Sequence, residues 1–420
     1  MSNTMRRVTR NALWLALGEG AVKGTLILAA VIIARSTGAQ GMGVFSIAFA
    51  AALIAVMVLA AGQQEVLIRE VAASPGRAGT LLDAARKVQN RLGTWALPLM
   101  IGGSLLTQDR DLRLALLAFV PYAVLRTLLV THGAAFKGQD RMDMEVRARG
   151  IEVVIVLPGL TAIGWAGLPV WTTGVVFSVG AGAALAWLAI RSRDLDRPIE
   201  DSTAELGRQE TAVWRSLRYE GMPFLALAVT SQLLMRADTF LLASFGVSRP
   251  EIGYYGAAGT LVWGILALPM LLAIALYPTL SRWATEGRSP LGAIAATIIF
   301  GGALGLVLAT GLSALGEPLV RAAFGADFEP AVALLSRLVW LLPTKFIMTF
   351  LGLILAAWRR QQLALGAMIV VLAISIILNV IWIPATGAMG SAAAAVVSHA
   401  AGALLLLILT LTLSQTERPR

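Results

Sequence analysis

Apolar runs of about 20 residues recur from one end of this chain to the other, and nothing else limits its possible folds so tightly. Inside hydrocarbon every backbone N–H and C=O must find a partner within the protein, so only helices or closed barrels can cross a bilayer. Runs this long and this apolar select helices. Charged or turn-rich breaks divide the chain into twelve predicted spans, at residues 12–34, 43–66, 90–106, 113–136, 150–167, 170–190, 219–244, 254–280, 290–315, 331–357, 362–383 and 388–413. The third has the shortest apolar core. Only 14% of the 420 residues are charged, against about 25% in soluble domains, and the chain reads as an all-α polytopic membrane protein.

The distribution of lysine and arginine checks this count, because basic residues concentrate in cytoplasmic loops. The N-terminus, the even-numbered loops and the C-terminus hold 24 of the 34 basic residues, whereas the opposite side holds Arg35, Arg110, Arg113, Arg249 and Arg321. Both termini are therefore expected in the cytoplasm, and the net charge of +10 is a topology signal before anything else. Nucleic-acid binding is disfavoured, since no soluble domain or basic face with interleaved aromatics exists to receive it. The first apolar segment is too long for a cleaved signal peptide and contains Glu19 and Lys23, so it reads as a retained helix.

Residues 191–218 form the longest polar stretch, with six basic and six acidic side chains. The expected organisation is an N-terminal six-helix bundle over 1–190, this charged cytoplasmic linker, and a C-terminal six-helix bundle over 219–420. Each half starts and ends on the same side, so a repeat would be parallel, about an axis along the membrane normal. "GAQGMGVFSIAFA" after the first span and "GVSRPEIGYYGAAG" after the seventh both carry a glycine turn, then glycine, two bulky residues and a small-residue run. Small residues at helix interfaces are common in membranes, which is the plainer explanation of such likeness. Prolines inside spans, at 98, 121, 158, 223, 269 and 343, would kink helices or free carbonyls.

The five basic residues left over from this count lie inside spans: Lys23, Arg126, Arg236, Arg337 and Lys345. An ionised side chain at the centre of a spanning helix costs roughly 2.5–3.5 kcal/mol, so four deep ones would cost on the order of 10 kcal/mol if they faced lipid. They are expected to face the protein interior or water, and could converge on a cavity between the two halves. Arg337, near a helix end, can snorkel to the interface. In "GEGAVKG" Glu19 precedes Lys23 by four residues, the favourable order for a helical ion pair. Arg236 and Asp238, two apart, point to different sides of a helix, and Arg126 and Lys345 have no acid three or four residues away on their own helices. Glu152 and Glu220 lie near the cytoplasmic ends of their spans. The deep charges are mainly cationic, which suits an anion such as phosphate or pyrophosphate rather than a drug cation. Glu19, Asp238 and His399 are candidates for ion coupling, His399 alternatively for a plain interhelical hydrogen bond.

Several classes are disfavoured by what the sequence lacks. With no cysteine there is no disulfide framework or thiolate chemistry, and only two histidines are present. No phosphate-binding glycine loop, metal-ligand cluster or nucleophile elbow appears, so no enzyme activity, cofactor or metal is expected. The non-cytoplasmic loops are short, the longest being "GEPLVRAAFGADFEPA", which counts against a glycan polymerase or ligase.

The stretches "IIARSTGAQGMGVFSIAFA" and "LIREVA" resemble the opening of the bacterial polysaccharide-transport flippases. In the second half "RADTFLLASFGVSRPEIGYYGAAGTL", "LPMLLAIALYPTLSR", "FGADFEPAVALLSRL" and "LNVIWIPATGAMGSAAAAVVS" are similar to the same family, in order. This is the family of O-antigen and exopolysaccharide lipid-linked oligosaccharide flippases, in the superfamily that also holds the peptidoglycan lipid flippase and the multidrug and toxin exporters. The resemblance implies two six-helix bundles around a central cavity, working by alternating access in the bacterial inner membrane. It further implies an undecaprenyl-diphosphate-linked glycan as substrate, no cofactor, and polysaccharide assembly proteins as possible partners of a monomer. Related flippases place cations in the cavity for the pyrophosphate; Lys23, Arg126, Arg236 and Lys345 are the candidates by position. The peptidoglycan flippase typically has two more helices, which favours the oligosaccharide branch. Rival readings are a multidrug or toxin cation antiporter, an integral-membrane polymerase or ligase, and a non-transporting assembly scaffold.

Overall fold

The computed structural model describes residues 3–193, 195 and 221–416, and among them every regular element is a helix. The first group comprises α1 (Asn3–Ala60), α2 (Gln63–Ala73), α3 (Ala78–Leu105), α4 (Arg110–Gly138), α5 (Met142–Trp165) and α6 (Thr172–Ser192). The second comprises α7 (Gly221–Ser244), α8 (Arg249–Ile265), α9 (Ala267–Thr285), α10 (Leu291–Ala296), a π-helical turn (Thr297–Gly301), α11 (Gly302–Ala314), α12 (Gly316–Phe324), α13 (Pro330–Leu338), α14 (Leu341–Ala357) and α15 (Gln361–Thr416).

α1 and α15 are each two helices joined at a sharp turn. Gly38 (φ 67°, ψ −172°) and Gly387 (φ 58°, ψ −135°) supply backbone that a side chain would strain. Eight segments of the described residues are long and apolar enough to span, and Lys23–Ala60 and Gln361–Thr412 among them contain these turns. α3 and α5 are not in that set because their N-terminal halves are charged, with Arg86, Lys87 and Arg91 in one and Asp143, Glu145, Arg147 and Arg149 in the other. Each of the twelve predicted spans coincides with a helix or a consecutive pair of helices, in an all-α multi-pass membrane fold. The second span is shorter than expected, because Ala61 (φ 53°) and Gly62 (φ 66°) end the helix at Ala60.

The prolines inside spans behave in two ways. Pro98, Pro121 and Pro158 sit inside continuous helices. Pro269 and Pro343 instead follow breaks, where α8 ends at Ile265 and α13 at Leu338, and Pro223 stands in the first turn of α7. Lacking an N–H, Pro269 and Pro343 cannot bond the carbonyls of Ile265 and Val339 four residues earlier, so a new helix starts at that point.

The described chain forms two compact units, Met1–Ser36 with Val44–Gln232, and Thr37–Gly43 with Leu233–Arg420. Most of the 191–218 linker lies outside the described residues, as does Glu220. In the first unit an aromatic cluster ties α1, α4 and α6 together: Phe49 lies 5.8 Å from Phe119 and 5.3 Å from Phe177, and Tyr122 lies 5.5 Å from Phe177. In the second, α14 is the central element, with Leu351 and Leu355 fully buried beside Ile294, Val371 and Leu406.

The turn 37–43 packs against α8 within the second unit, and the contact is reciprocal. A Cβ on Gly43 would lie 2.0 Å from the Arg249 carbonyl oxygen, and one on Gly253 would lie 2.0 Å from that of Ala39. These are the corresponding glycines of the two similar sequence stretches. Gly253→Ala is expected to lower the thermal unfolding temperature in detergent, overpacking of this kind costing about 1–3 kcal/mol. Gly102→Ala, with no atom within 4 Å of its added Cβ, should leave it unchanged.

Candidate functional site

Polar side chains within spanning helices gather in two places, one in each unit. In the second unit α7 carries Arg236 and Asp238, α8 carries Tyr255 and Trp263, α14 carries Lys345, and α15 carries Asn379, Ser391 and His399. Asp238 is buried, and its carboxylate accepts from the Tyr255 hydroxyl and, at 2.9 Å, from the Thr239 N–H. Ser391 lies against the same phenol. Its hydroxyl donates to Asn379 Oδ1 (2.7 Å), and the Asn379 amide donates to the Ser375 carbonyl (2.8 Å). Asp238 thus belongs to a polar cluster that draws on α7, α8 and both halves of α15.

The cations of this unit are held differently. Arg236 places its guanidinium carbon 4.5 Å over the Trp263 ring, a cation–π contact, while its Nε is buried with no hydrogen-bond partner among the described residues. Lys345 forms no ion pair among the described residues, and it is an electrostatic neighbour of both Asp238 and His399. The His399 Nδ1–H donates to the Ala395 carbonyl (2.7 Å), since that oxygen can only accept. Its Nε2 is therefore an acceptor in the neutral ring, buried and without a partner among the described residues. Among the described residues this cluster holds two cations, Arg236 and Lys345, with no carboxylate in contact, beside one carboxylate occupied by a phenol. Such an arrangement attracts an anion, and its net charge responds to the protonation of Asp238.

In the first unit Arg126 is neutralised. Arg126 Nη1 on α4 donates to Glu152 Oε2 on α5 at 2.5 Å, both side chains mostly buried. Nearer the end that the basic-residue count assigns to the cytoplasm, Glu145 bridges Lys137 Nζ (2.7 Å) and Arg149 Nη2 (2.6 Å). Burial pushes the Glu145 carboxyl up, but Arg149 and Lys137 outweigh it and hold it down at about 2.

Lys23 is half-buried on α1, whereas the Glu19 side chain lies outside the described residues, and the expected Glu19–Lys23 pair with it. Arg337 is exposed in the last turn of α13. The structure therefore gathers Arg236, Lys345, Asp238 and His399 in one unit and pairs Arg126 within the other. Sequence reasoning missed Tyr255, Trp263, Asn379 and Ser391 as parts of the cluster. The signal for Asn379 was present, a lone amide in "IILNVIW" that must be satisfied inside the bilayer. Among the described residues no group of histidine and acidic side chains could hold a metal ion.

This multi-pass helical fold is shared with known membrane transporters. The structure is similar to the lipid II flippase MurJ in an inward closed conformation, with TM-score 0.70 and 17% identity over 97% of this chain and 89% of that one. It is also similar to a MOP superfamily transporter from Pyrococcus furiosus, at TM-score 0.65 and 13% identity over 99% and 96% of the two chains. A third match is a mutant form of the Vibrio cholerae MATE transporter VcmN, at TM-score 0.59 and 13% identity over 98% and 97%. At these identities the likeness is one of fold. Residues 8–284 match the profile of the polysaccharide biosynthesis protein family, and the chain belongs to that family. No curated protein matches the sequence significantly.

Two outcomes follow from the first unit's ion pairs. Arg126→Ala or Glu152→Ala alone should cost about 3–5 kcal/mol by stranding a buried charge, and the double variant should cost less than either alone, as read by unfolding in a double-mutant cycle. The depressed pKa of Glu145 stabilises the fold fully above its ordinary value of 4.5 and progressively less as pH falls toward about 2. Glu145→Gln should lower the melting temperature at neutral pH and flatten its fall across that acidic interval.

Proposed function

We propose that this protein is a flippase moving undecaprenyl-diphosphate-linked oligosaccharide repeat units from the cytoplasmic to the periplasmic leaflet, by alternating access, for cell-surface polysaccharide biosynthesis. The observation that carries the reading is the pair Arg236 and Lys345, lying in spanning helices of one unit and forming no ion pair among the described residues. Leaving cations unneutralised in a span is costly, and an anionic headgroup offsets that cost when it binds. Membership of a polysaccharide biosynthesis family supports the glycan, and the fold likeness to a lipid II flippase supports a lipid-linked substrate.

In this mechanism the diphosphate engages Lys345 and Arg236, with Lys23 and Arg126 as further candidates, the latter once Glu152 yields it. The sugar repeat crosses among polar groups while the polyprenyl tail stays in lipid, where its apolar surface is not exposed to water. Asp238 is the coupling residue favoured by its burial and its hydrogen bond from Tyr255; Glu19 and His399 remain secondary candidates. Deprotonated, Asp238 competes with the substrate for Lys345 through its field, and protonated, it no longer does. Moving one charge through 100 mV is worth about 2.3 kcal/mol, enough to bias such an exchange. The protein is then a non-enzymatic inner-membrane carrier without cofactor, both termini cytoplasmic, acting as a monomer upstream of polysaccharide polymerisation.

A cation antiporter on the same fold is the second reading, favoured by the buried Asp238. Deletion should leave lipid-linked oligosaccharide accumulated on the cytoplasmic leaflet, detected by its protection from an external probe. Lys345→Ala and Arg236→Ala, at normal abundance, should each reduce translocation about tenfold or more, the scale of a lost charged hydrogen bond. Full translocation by both variants would overturn the flippase reading. Extrusion of cationic dyes that fails in Asp238→Asn but not in Lys345→Ala would establish the antiporter instead.

A further inference from the structure

Away from the charged cluster, the second unit carries a groove of about 370 Å³, within the range of roughly 300–1,000 Å³ typical of ligand sites. Leu276, Leu280 and Trp283 of α9 line it, together with Phe300 of the π-helical turn and Phe350 and Ile354 of α14. Apart from the indole, the only polar side chains along it are Thr279 and Thr297, and the Thr297 hydroxyl is engaged by the Ala293 carbonyl (2.8 Å). Phe300 is 73% exposed and Leu276 45%, in helices that cross hydrocarbon, so the groove is open to the acyl region. The π-helical turn Thr297–Gly301 explains its presence: an extra residue in the turn widens the helix and shifts the side chains beyond it out of the α-helical register.

One end of the groove is charged. Trp283, in the last turn of α9, lies under the Arg288 guanidinium at 5.9 Å from its ring centroid, and Arg282 is the residue before it. Both arginines are exposed. Glu286 pairs with Arg288, its Oε2 lying 2.7 Å from Nε. Two arginines against one glutamate leave this turn with one net positive charge. Apolar groove, tryptophan and arginine thus follow one another as acyl chain, glycerol region and phosphate do in a lipid leaflet.

We propose that this groove binds one acyl chain of an anionic glycerophospholipid, with its phosphate held by Arg282 and Arg288. The open side of the groove favours a bulk lipid: occupancy follows concentration, and membrane phospholipid far outnumbers any polyprenyl carrier. The site is separate from the cations assigned to substrate and does not depend on the flippase reading.

Tryptophan fluorescence tests it in full-length protein reconstituted into phosphatidylcholine vesicles containing a minor fraction of chain-brominated phosphatidylglycerol or, in parallel, chain-brominated phosphatidylcholine. Brominated phosphatidylglycerol should quench more strongly, and the excess should vanish in Trp283→Phe. Arg282→Ala and Arg288→Ala should each weaken the preference about fivefold, the worth of one basic residue near an anionic headgroup. Ala296→Phe, which fills the groove and spares both arginines, should abolish the excess. Equal quenching by the two lipids overturns the proposal. So does a preference that survives Ala296→Phe, which would mark simple surface attraction, and so does quenching seen only with brominated undecaprenyl phosphate, which would make the groove a carrier-lipid site.

Discussion

A polar group in hydrocarbon has no water to fall back on, and most of this molecule is arranged around that fact. Hydroxyls in the spans bond carbonyls one turn back, as Thr127 does to Ala123 (2.7 Å) and Ser178 to Gly174 (2.7 Å). Both histidines do the same through Nδ1, His132 to Leu128 (2.8 Å) and His399 to Ala395. Charged groups cannot be satisfied so simply, and the two units treat them differently. The first joins Arg126 to Glu152 and Glu145 to two cations. The second gives its carboxylate to a tyrosine and leaves its cations to a tryptophan face and to the field of neighbouring groups. That asymmetry, rather than the helix count, gives the second unit its chemical character.

Much of the architecture was legible in the sequence because hydropathy is a one-dimensional signal read over windows as long as a span. The site was legible only in kind. That cations lie within spans follows from composition along the chain; which one is neutralised depends on pairs distant in sequence. Glu152 is 26 residues beyond Arg126, and Tyr255 is 17 beyond Asp238. No periodicity within one helix announces such partners. The prolines show the same limit, since Pro121 and Pro343 look alike in sequence while only the second coincides with a helix restart.

The likeness between the stretches around Gly43 and Gly253 acquires a physical meaning in the fold. Each glycine leaves room for a backbone carbonyl of the other stretch, so the two positions are constrained by one contact. Their following residues then diverge, Phe45 joining the aromatic cluster of the first unit and Tyr255 holding Asp238 in the second. A shared frame with divergent side chains beyond it fits a doubled bundle whose halves have specialised.

The Arg126–Glu152 pair also bears on how the protein reaches its membrane. α4 precedes α5 along the chain, so its arginine leaves the ribosome ahead of its counter-charge. Alone, that helix carries a penalty of roughly 2.5–3.5 kcal/mol for the charge, which the later helix removes. The α4–α5 hairpin, with both charges of the pair, is therefore cheaper to hold in hydrocarbon than α4 alone.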